Sequence, residues 1–396
     1  MAGSCFTRRQ PESPSRSATG TAGRKAPSTV VTPTLTMGVE EEFLLVDART
    51  GTPAPRAELV LAKVADTDAT RLEATRYQVE SASPVAHTGH ELRAHLLRSR
   101  RDCTEAAAVY GCRLVAGATP VIAPGPEPLL VDAPRRHDQS ARYGALTDTF
   151  VNCGCHVHVG TLDPETAVQV TCRLRPWLPT LIALGANSPF RDEHDTGHAS
   201  WRNVVTTMWP CSGIPPRLTS VSAYEHTVAG LITTGAIKDS KMIYWDARPS
   251  ASWPTVEVRA PDVATTVDEA VLLAVLVRAL VADALIAIRA GEPAPDIPTE
   301  VLVAARWRAA RDGLEGMAVH PASGEPVPAN TMVDALIERV RDHLDAAGDL
   351  SHVTRTLARL RRDGCGARRQ RLVFERRHRF TDVVRYLADA TEQQGG

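Results

Sequence analysis

Three consecutive glutamates, Glu40, Glu41 and Glu42, lie inside a stretch that otherwise has the composition of a β-strand, and this feature constrains the chain most. Val39 and Phe43, which flank them, are residue types that favour strands. Because side chains alternate between the faces of a strand, Glu40 and Glu42 share one face, with Glu41 on the other. Two carboxylates about 7 Å apart on one face repel each other unless a positive charge lies nearby. The stretch is therefore either a solvated edge strand or part of a divalent-cation site, since such cations prefer carboxylate oxygens.

Three further stretches repeat this alternation of an apolar and a polar face. Their polar residues are Gln78 and Glu80 in residues 76–80, Asn152, His156 and His158 in residues 151–160, and Thr255, Glu257 and Arg259 in residues 255–260. The solvated face of an ordinary sheet seldom consists of Glu, His and Arg with so little Lys. We therefore expect the four strands to line one charged cavity. Four carboxylates there would take up protons unless cations neutralised them, which favours a metal site over the solvated face.

The motif around Cys153 and Cys155 also raises the possibility of zinc. In a regular strand these cysteines point away from His156 and His158, so the four side chains cannot form a tetrahedral site. No second Cys/His pair lies at the spacing of a zinc finger. We predict that both cysteines are core residues.

Magnesium together with arginine is suited to phosphate groups, because the metal neutralises phosphate oxygens while guanidinium groups hold them. Three arginines, Arg202, Arg248 and Arg259, lie in motif-like contexts rather than on helix surfaces. The sequence contains no glycine-rich phosphate loop of the Walker or Rossmann kind. A nucleotide would therefore bind through metals and side chains on a sheet.

Composition limits the partners and the compartment. The net charge of −1 gives no electrostatic reason to expect nucleic acid or an anionic membrane. Residues 270–290 are strongly apolar but are interrupted by Arg278, Asp283 and Arg289, which predicts a buried helix rather than a membrane span. Eight scattered cysteines are typical of reduced thiols, so we predict a cytoplasmic protein. The sequence leaves open whether the chain forms a homo-oligomer.

The chain divides into two parts. Residues 1–33 are rich in Ser, Thr, Pro, Gly and Arg, and we predict a disordered N-terminal tail. Residues 34–390 are predicted to form a single α+β domain in which helices wrap a mostly antiparallel sheet. Capping boxes at Thr88 and Thr266 begin two long helices. Residues 242–246 and 255–260 are predicted to pair as strands, and residues 187–213 to form a long binding loop.

Five motifs, in consistent order over about residues 34–390, resemble the carboxylate-amine ligase family. This is the bacterial glutamate–cysteine ligase type 2 group, which is related to γ-glutamylcysteine synthetases and distantly to glutamine synthetase. The motifs are MGVEEEFLLVD, RYQVESASP, CGCHVHVG, ANSPF with DTGHASWR, and IYWDARPSASWPTVEVRAPD. The resemblance implies a glutamine-synthetase-like catalytic fold whose sheet is curved into a half-barrel. It also implies that ATP phosphorylates a carboxylate, typically the γ-carboxylate of L-glutamate. An amine such as L-cysteine or another amino compound then displaces phosphate.

The same resemblance implies roles for individual residues. The implied ligands of Mg²⁺ (or Mn²⁺) bound with ATP are Glu40, Glu42, Glu80, His156 and Glu257. Arg259 is implied to be a catalytic residue that clamps the phosphates of the cofactor, with Arg248 as a second cofactor-binding residue. Arg202 is implied to be a catalytic residue that recognises a carboxylate. Glu73 lies near the position of a further acidic ligand, but its surroundings match the family poorly.

The resemblance is weakest in one loop. The family usually has Trp after Ser-Pro-Phe and a later Tyr, where this chain has Arg191 and His198. The acceptor amine and the glutamate donor therefore stay open. The alternatives are a relative that binds ATP or a metabolite without ligation, and a metal-dependent hydrolase.

Overall fold

The three glutamates lie in β1 (Met37–Asp47), the strand around which the main sheet is built. The structure is a computed structural model, and it describes residues 35–64, 69–126, 129–160 and 163–393. The predicted disordered tail, residues 1–33, lies outside the described residues. The described residues belong to one compact unit.

Within the described residues the main sheet has seven strands, all paired antiparallel. In chain order the strands of the molecule are β1, β2 (Thr70–Leu72), β3 (Gln78–Ala82), β4 (Cys112–Val115), β5 (Cys155–Gly160), β6 (Phe190–Arg191), β7 (His194–Asp195), β8 (Ser212–Gly213), β9 (Tyr244–Trp245), β10 (Ala247–Pro249), β11 (Thr255–Val258), β12 (Met317–Val319) and β13 (Pro326–Pro328). The order in the main sheet is β10-β11-β5-β1-β3-β2, and β4 pairs with the end of β1. The other strands form three two-stranded sheets, β6–β7, β8–β9 and β12–β13.

Helices pack around this sheet. They are α1 (Ala57–Leu61), α2 (Gly89–Val109), α3 (Pro134–Tyr143), α4 (Pro164–Leu174), α5 (Leu178–Gly185), α6 (Trp201–Val205), α7 (Val221–Thr233), α8 (Val267–Arg289), α9 (Thr299–Asp312), α10 (Ala329–Ala346), α11 (Leu350–Asp363), α12 (Gly366–Arg377) and α13 (Phe380–Glu392). Helices α2, α4, α8 and α13 contact strands of the main sheet. The predicted α+β class, with helices around a mostly antiparallel sheet, is confirmed, and the sheet does not close into a barrel in the described part of the chain.

The central helix is α8, and it contains the apolar segment that the sequence placed in the core. By length and composition it could cross a membrane, but 83% of its most apolar window is buried inside the molecule. The Thr266 hydroxyl accepts a hydrogen bond from the backbone N–H of Glu269, as the capping box predicts. At α2, Thr88 accepts from the N–H of Glu91 in the same way. Both predicted helix starts are therefore correct.

Two predictions about connections are wrong. Residues 187–213 are not a structureless loop, because they contain the β6–β7 hairpin, α6 and β8. Residues 242–246 are not the strand that pairs with residues 255–260, although the carbonyl oxygen of Asp246 accepts a hydrogen bond from the N–H of Arg259. Instead β9 pairs in parallel with β8, and the partner of β11 is β10, which begins at Ala247. The sequence of a short apolar strand does not identify the strand with which it pairs, so strand pairing was the weakest part of the prediction.

Candidate active site

The strand register gathers the ionisable side chains on one face of the sheet. Glu42 lies opposite Glu80 of β3, and Glu40 lies opposite His156 of β5. Further along, His158 of β5 lies opposite Glu257 of β11. Residues directly opposite each other in a ladder point to the same face. The structure therefore brings all five of the predicted metal ligands together.

The first cluster consists of Glu40, His156 and Glu257, whose nearest ligand atoms all lie within 4.8 Å of one another. The Nδ1 atom of His156 is 3.4 Å from Oε2 of Glu40. His158 borders the cluster, with its Nε2 atom 3.7 Å from the same oxygen and its Nδ1 atom 2.9 Å from the Thr255 hydroxyl. Hydrogen bonds from His156 and His158 hold the pKa of Glu40 well below its usual range, despite burial that acts in the opposite direction.

The second cluster consists of Glu42, Glu73 and Glu80, again with ligand atoms within 4.8 Å of one another. Glu73 directly follows β2 and was outside the predicted ligand set, although the sequence placed it near an acidic position. Its carboxylate also pairs with Arg136 of α3, at 3.3 Å. The sequence could not assign Glu73 as a ligand with the same clarity, because the residue lies in the loop between β2 and β3. Side chains in a loop do not alternate between two faces as those of a strand do.

Burial makes the carboxylates of the second cluster costly to ionise. Burial, reinforced by the charge of Glu73, raises the pKa of Glu42 to about 7. The same two causes raise the pKa of Glu80 well above its usual value. A bound cation would lower these pKa values again, because a positive charge close to a carboxylate favours the ionised form.

The imidazole of His156 fits a metal ligand on two grounds. Burial, followed by the charge of Arg259, lowers the pKa of His156 to about 4, so the ring is neutral at pH 7. Neutral imidazole is the form that binds metals. Its Nε2 atom is buried and has no hydrogen-bond partner among the residues that the structure describes. With carboxylates as the other ligands, the donor set suits a hard cation such as Mg²⁺ or Mn²⁺.

Two arginines hold Glu257. Arg259, which is partly buried, donates to Oε1 of Glu257, and its Nη1 atom is 3.5 Å from Nδ1 of His156. Arg248 donates from Nε to Oε2 of the same carboxylate at 2.9 Å, and from Nη2 to Oε1 at 3.2 Å. Its remaining nitrogen donates to the carbonyl oxygens of Lys241 and Ile243. Arg248 therefore positions Glu257 in this structure, and its predicted contact with a cofactor stays a prediction.

Arg202 is anchored through the backbone near the end of β11. Its terminal nitrogens donate to the carbonyl oxygens of Arg259, Ala260 and Pro261 at 3.2–3.4 Å. The Nη1 atom is also 3.8 Å from the buried carboxylate of Asp262. Its Nε atom is buried and has no hydrogen-bond partner in the described part of the chain. The guanidinium thus retains one unused donor.

A cavity that is partly open to solvent adjoins the two clusters, and about 120 Å³ of it has room for water-sized molecules. Its charged wall includes Glu42, Glu73, His156, Arg202 and Arg259, together with Arg136. Aromatic side chains form another wall, namely Phe150, Trp209 and Tyr244. The cavity brings both predicted catalytic arginines next to the carboxylates. Arg191 and His198, where the chain departs from the resemblance, do not line it.

Comparison with known proteins gives the family. The model of glutamate-cysteine ligase family 2 matches residues 36–394. A protein from Mycolicibacterium vanbaalenii is 45% identical over 91% of this chain and 99% of its own length. A protein from Salinispora tropica is 47% identical over 87% of this chain and 91% of its own length. The names of both begin with "Putative glutamate--cysteine ligase 2".

Solved structures show the same fold at low sequence identity. Glutamate–cysteine ligase from Francisella tularensis, in complex with AMP, superposes with a TM-score of 0.67 at 13% identity, over 91% of this chain and 89% of that one. A bifunctional glutathione synthetase from Pasteurella multocida superposes with a TM-score of 0.63 at 14% identity, over 91% of this chain and 53% of that one. From the family match and the close relatives, the chain belongs to glutamate-cysteine ligase family 2 and is a carboxylate-amine ligase that forms C–N bonds.

Proposed function

We propose that this ligase uses ATP to activate the γ-carboxylate of L-glutamate as an acyl phosphate and joins it to an amine, with release of ADP and phosphate. The observation that carries the proposal is the pair of buried clusters beside a cavity that contains Arg202 and Arg259. The Francisella tularensis ligase, which shares the fold, is described in complex with AMP, and this supports a nucleotide at such a site.

The clusters provide the ligands for divalent cations. Glu40, His156 and Glu257 would hold one cation, and Glu42, Glu73 and Glu80 a second. When bound, Mg²⁺ would neutralise phosphate oxygens and so favour attack by a carboxylate. Without the positive charge of the cations, the substrate carboxylate and the phosphate groups of ATP would repel each other.

The arginines supply fixed positive charge at the reacting groups. Arg259 faces the first cluster and is held by Glu257, so its charge is already in place when phosphate arrives. Arg202 lines the cavity and keeps an Nε–H without a partner among the described residues, so we assign its guanidinium to a substrate carboxylate. Neither role requires the side chain to move far.

The cavity also suits an intermediate that water would destroy. The proposed reaction needs no nucleophilic side chain, because the substrate carboxylate itself attacks ATP, and the residues that line the cavity include neither serine nor cysteine. Its aromatic wall would cover one side of an acyl phosphate until the amine attacks. The amine displaces phosphate from the acyl carbon and loses a proton as the amide forms.

The test is phosphate release from ATP with Mg²⁺ and L-glutamate across a panel of amines that includes L-cysteine, with mass spectrometry of the products. We expect release that depends on one amine or a small group of amines, and a γ-glutamyl product. The Glu40→Gln/Glu257→Gln variant should lose turnover, because two of three ligands in the first cluster lose their charge. Glu58→Gln, which changes a surface glutamate paired with Arg76, is the control and should keep full activity.

Other outcomes separate the alternatives. ATP binding without phosphate release for any amine would contradict L-glutamate as the donor, and would point to another carboxylate donor or to a relative that only binds. Turnover without nucleotide would indicate a hydrolase. Unchanged activity in the double variant would contradict the assignment of the first cluster.

A further inference from the structure

Arg71 of β2 connects the two clusters. Its Nη2 atom is 2.7 Å from Oε1 of Glu40 in the first cluster. Its Nε atom is 2.6 Å from Oε1 of Glu80 in the second. The register explains the reach, because Arg71 lies directly opposite Glu80 in the ladder between β2 and β3. One guanidinium therefore neutralises one carboxylate from each proposed metal site.

Arg71 differs in its surroundings from the other arginines of the site. Its side chain is 53% exposed, whereas those of Glu40 and Glu80 are 17% and 11% exposed. Among the described strands, β2 pairs only with β3 and forms one end of the sheet. Arg259 and Arg248, by contrast, are held inside the site by Glu257. Arg71 thus reaches in from the solvent side and can withdraw without leaving a buried void.

The guanidinium and the proposed cations draw on the same two carboxylates, with Arg71 at Oε1 of Glu40 and His156 facing Oε2 of that residue. A cation in the first cluster needs an oxygen of Glu40, and one in the second needs an oxygen of Glu80. Arg71 occupies one oxygen of each. A divalent cation at either place would also repel the nearby positive charge of the arginine.

We propose that Arg71 is a resident counter-cation of the metal-free site, which divalent cations displace and which then contacts the phosphate groups of the nucleotide. This inference rests on the proposed function, because it needs both metal sites and a nucleotide. In the metal-free protein the arginine offsets part of the repulsion among the carboxylates. After displacement its planar, charged group lies at the mouth of the site, and guanidinium groups bind phosphate oxygens well.

A purely structural role predicts the opposite result for metal binding. If Arg71 only held Glu40 and Glu80 in position for a cation, its removal would weaken metal binding. If it competes with the cation, its removal strengthens metal binding. The sign of the change in affinity therefore separates the two roles.

The experiment is calorimetric titration of the full chain with Mn²⁺ alone, for the wild-type protein and for Arg71→Gln. An exposed ion pair contributes up to about a fivefold factor to an equilibrium constant. Since the variant loses two such pairs, we expect its Kd for Mn²⁺ to fall about three- to tenfold. A second titration, with ADP at saturating Mn²⁺, should give an ADP Kd about tenfold higher in the variant, because a charged contact to phosphate is lost.

Two further variants serve as controls. Arg113→Gln removes an arginine that also bridges two carboxylates, Asp389 and Glu392, on a different part of the protein, and should change neither affinity. Arg71→Lys keeps the charge without the planar fork, so its Mn²⁺ affinity should stay within about twofold of wild type. If Arg71→Gln folds poorly, Arg71→Met removes the same charge and serves for both titrations.

The outcomes are distinct. A Kd for Mn²⁺ that is unchanged or higher in Arg71→Gln would overturn displacement, and an unchanged Kd for ADP would overturn the contact with phosphate. A wild-type protein that binds no Mn²⁺ would instead contradict the proposed function.

Discussion

At the scale of single residues, the three consecutive glutamates have two different roles. Glu40 and Glu42 face the clusters, whereas Glu41 points to the opposite face of β1. There its carboxylate pairs with Arg100 of α2 through Nη2 at 2.5 Å and Nε at 3.1 Å. Both side chains are 3% exposed or less. Arg100 also donates to the carbonyl oxygens of Ala264 and Thr265, and so ties β1 and α2 to the segment before α8.

Arg100→Met should destabilise the protein strongly. The substitution leaves the Glu41 carboxylate buried without a partner, which costs about 3–5 kcal/mol in the free energy of unfolding. Unfolding in urea, followed by circular dichroism, measures this loss. The Glu41→Gln/Arg100→Met variant should recover part of it, because the buried charge is gone. Arg98→Met, on the exposed side of the same helix, should change stability by less than about 0.5 kcal/mol.

A second residue-scale prediction concerns Glu73. If it is a metal ligand, Glu73→Gln should raise the Mg²⁺ concentration needed for half-maximal activity by about 10–100-fold, with activity partly restored at high Mg²⁺. Glu58→Gln makes the same change at a surface pair with Arg76 and should leave the Mg²⁺ requirement unaltered. A normal Mg²⁺ requirement in Glu73→Gln would remove this residue from the second cluster.

The limits of the sequence are clearest at this scale. Glu40, Glu42, Glu80, His156 and Glu257 could be placed on one face because strands have a period of two. Glu73, Arg71 and Arg136 could not be placed, since their contacts depend on where connections run and on which strands are neighbours. The period put Glu41 on the other face, but its partner Arg100 lies 59 residues away and nothing in the sequence links the two.

At the scale of elements, the start of β5 is fitted closely to α6. Gly154 donates its N–H to Oε2 of Glu42 at 2.6 Å. A Cβ atom on this residue would overlap the guanidinium of Arg202 and lie 2.9 Å from Nε2 of His156. Arg202 cannot retreat freely, since backbone carbonyls hold its terminal nitrogens. Glycine is therefore required here by the close approach of a strand to two site residues.

Gly154→Ala should consequently impair activity more than stability. We expect kcat/KM for the carboxylate substrate to fall about 10–100-fold, because displacement by about 1 Å can cost that much. Gly230→Ala in α7, where no atom lies within 4 Å of the added Cβ, should keep full activity. The control should also gain up to about 1 kcal/mol of stability from the lower entropy of the unfolded chain. Wild-type kinetics in Gly154→Ala would contradict this account of Arg202 and His156.

Elements differed in how well the sequence predicted them. The starts of α2 and α8 were correct because capping boxes are local patterns of side chain and backbone. The β6–β7 hairpin and the β8–β9 pair were missed, since strands of two residues are too short for any periodicity. The β6–β7 hairpin lies where the chain departs from its family resemblance, whereas β9 lies inside one of the matching motifs.

At the scale of the whole molecule, the clusters join strands that are distant in the sequence. The first cluster takes one residue from each of β1, β5 and β11, which span more than 200 positions of the chain. The fold class was predictable because alternating strands and apolar helices each carry a regular signal. The sites exist only once the sheet has formed, so an unfolded chain has no comparable affinity for a metal–nucleotide complex.

Mg²⁺ and ADP together should therefore stabilise the folded protein. At a ligand concentration about 100 times Kd, binding to the native state alone adds about 2.7 kcal/mol, which raises the Tm of a domain of this size by on the order of 3–4 °C. Differential scanning calorimetry measures this shift. Excess EDTA should abolish it, because the carboxylates then repel the phosphates. Glu40→Gln/Glu257→Gln should lose most of the shift, whereas Glu58→Gln should keep all of it. An equal rise in Tm with ADP in the presence of EDTA would mean that the nucleotide binds away from these clusters.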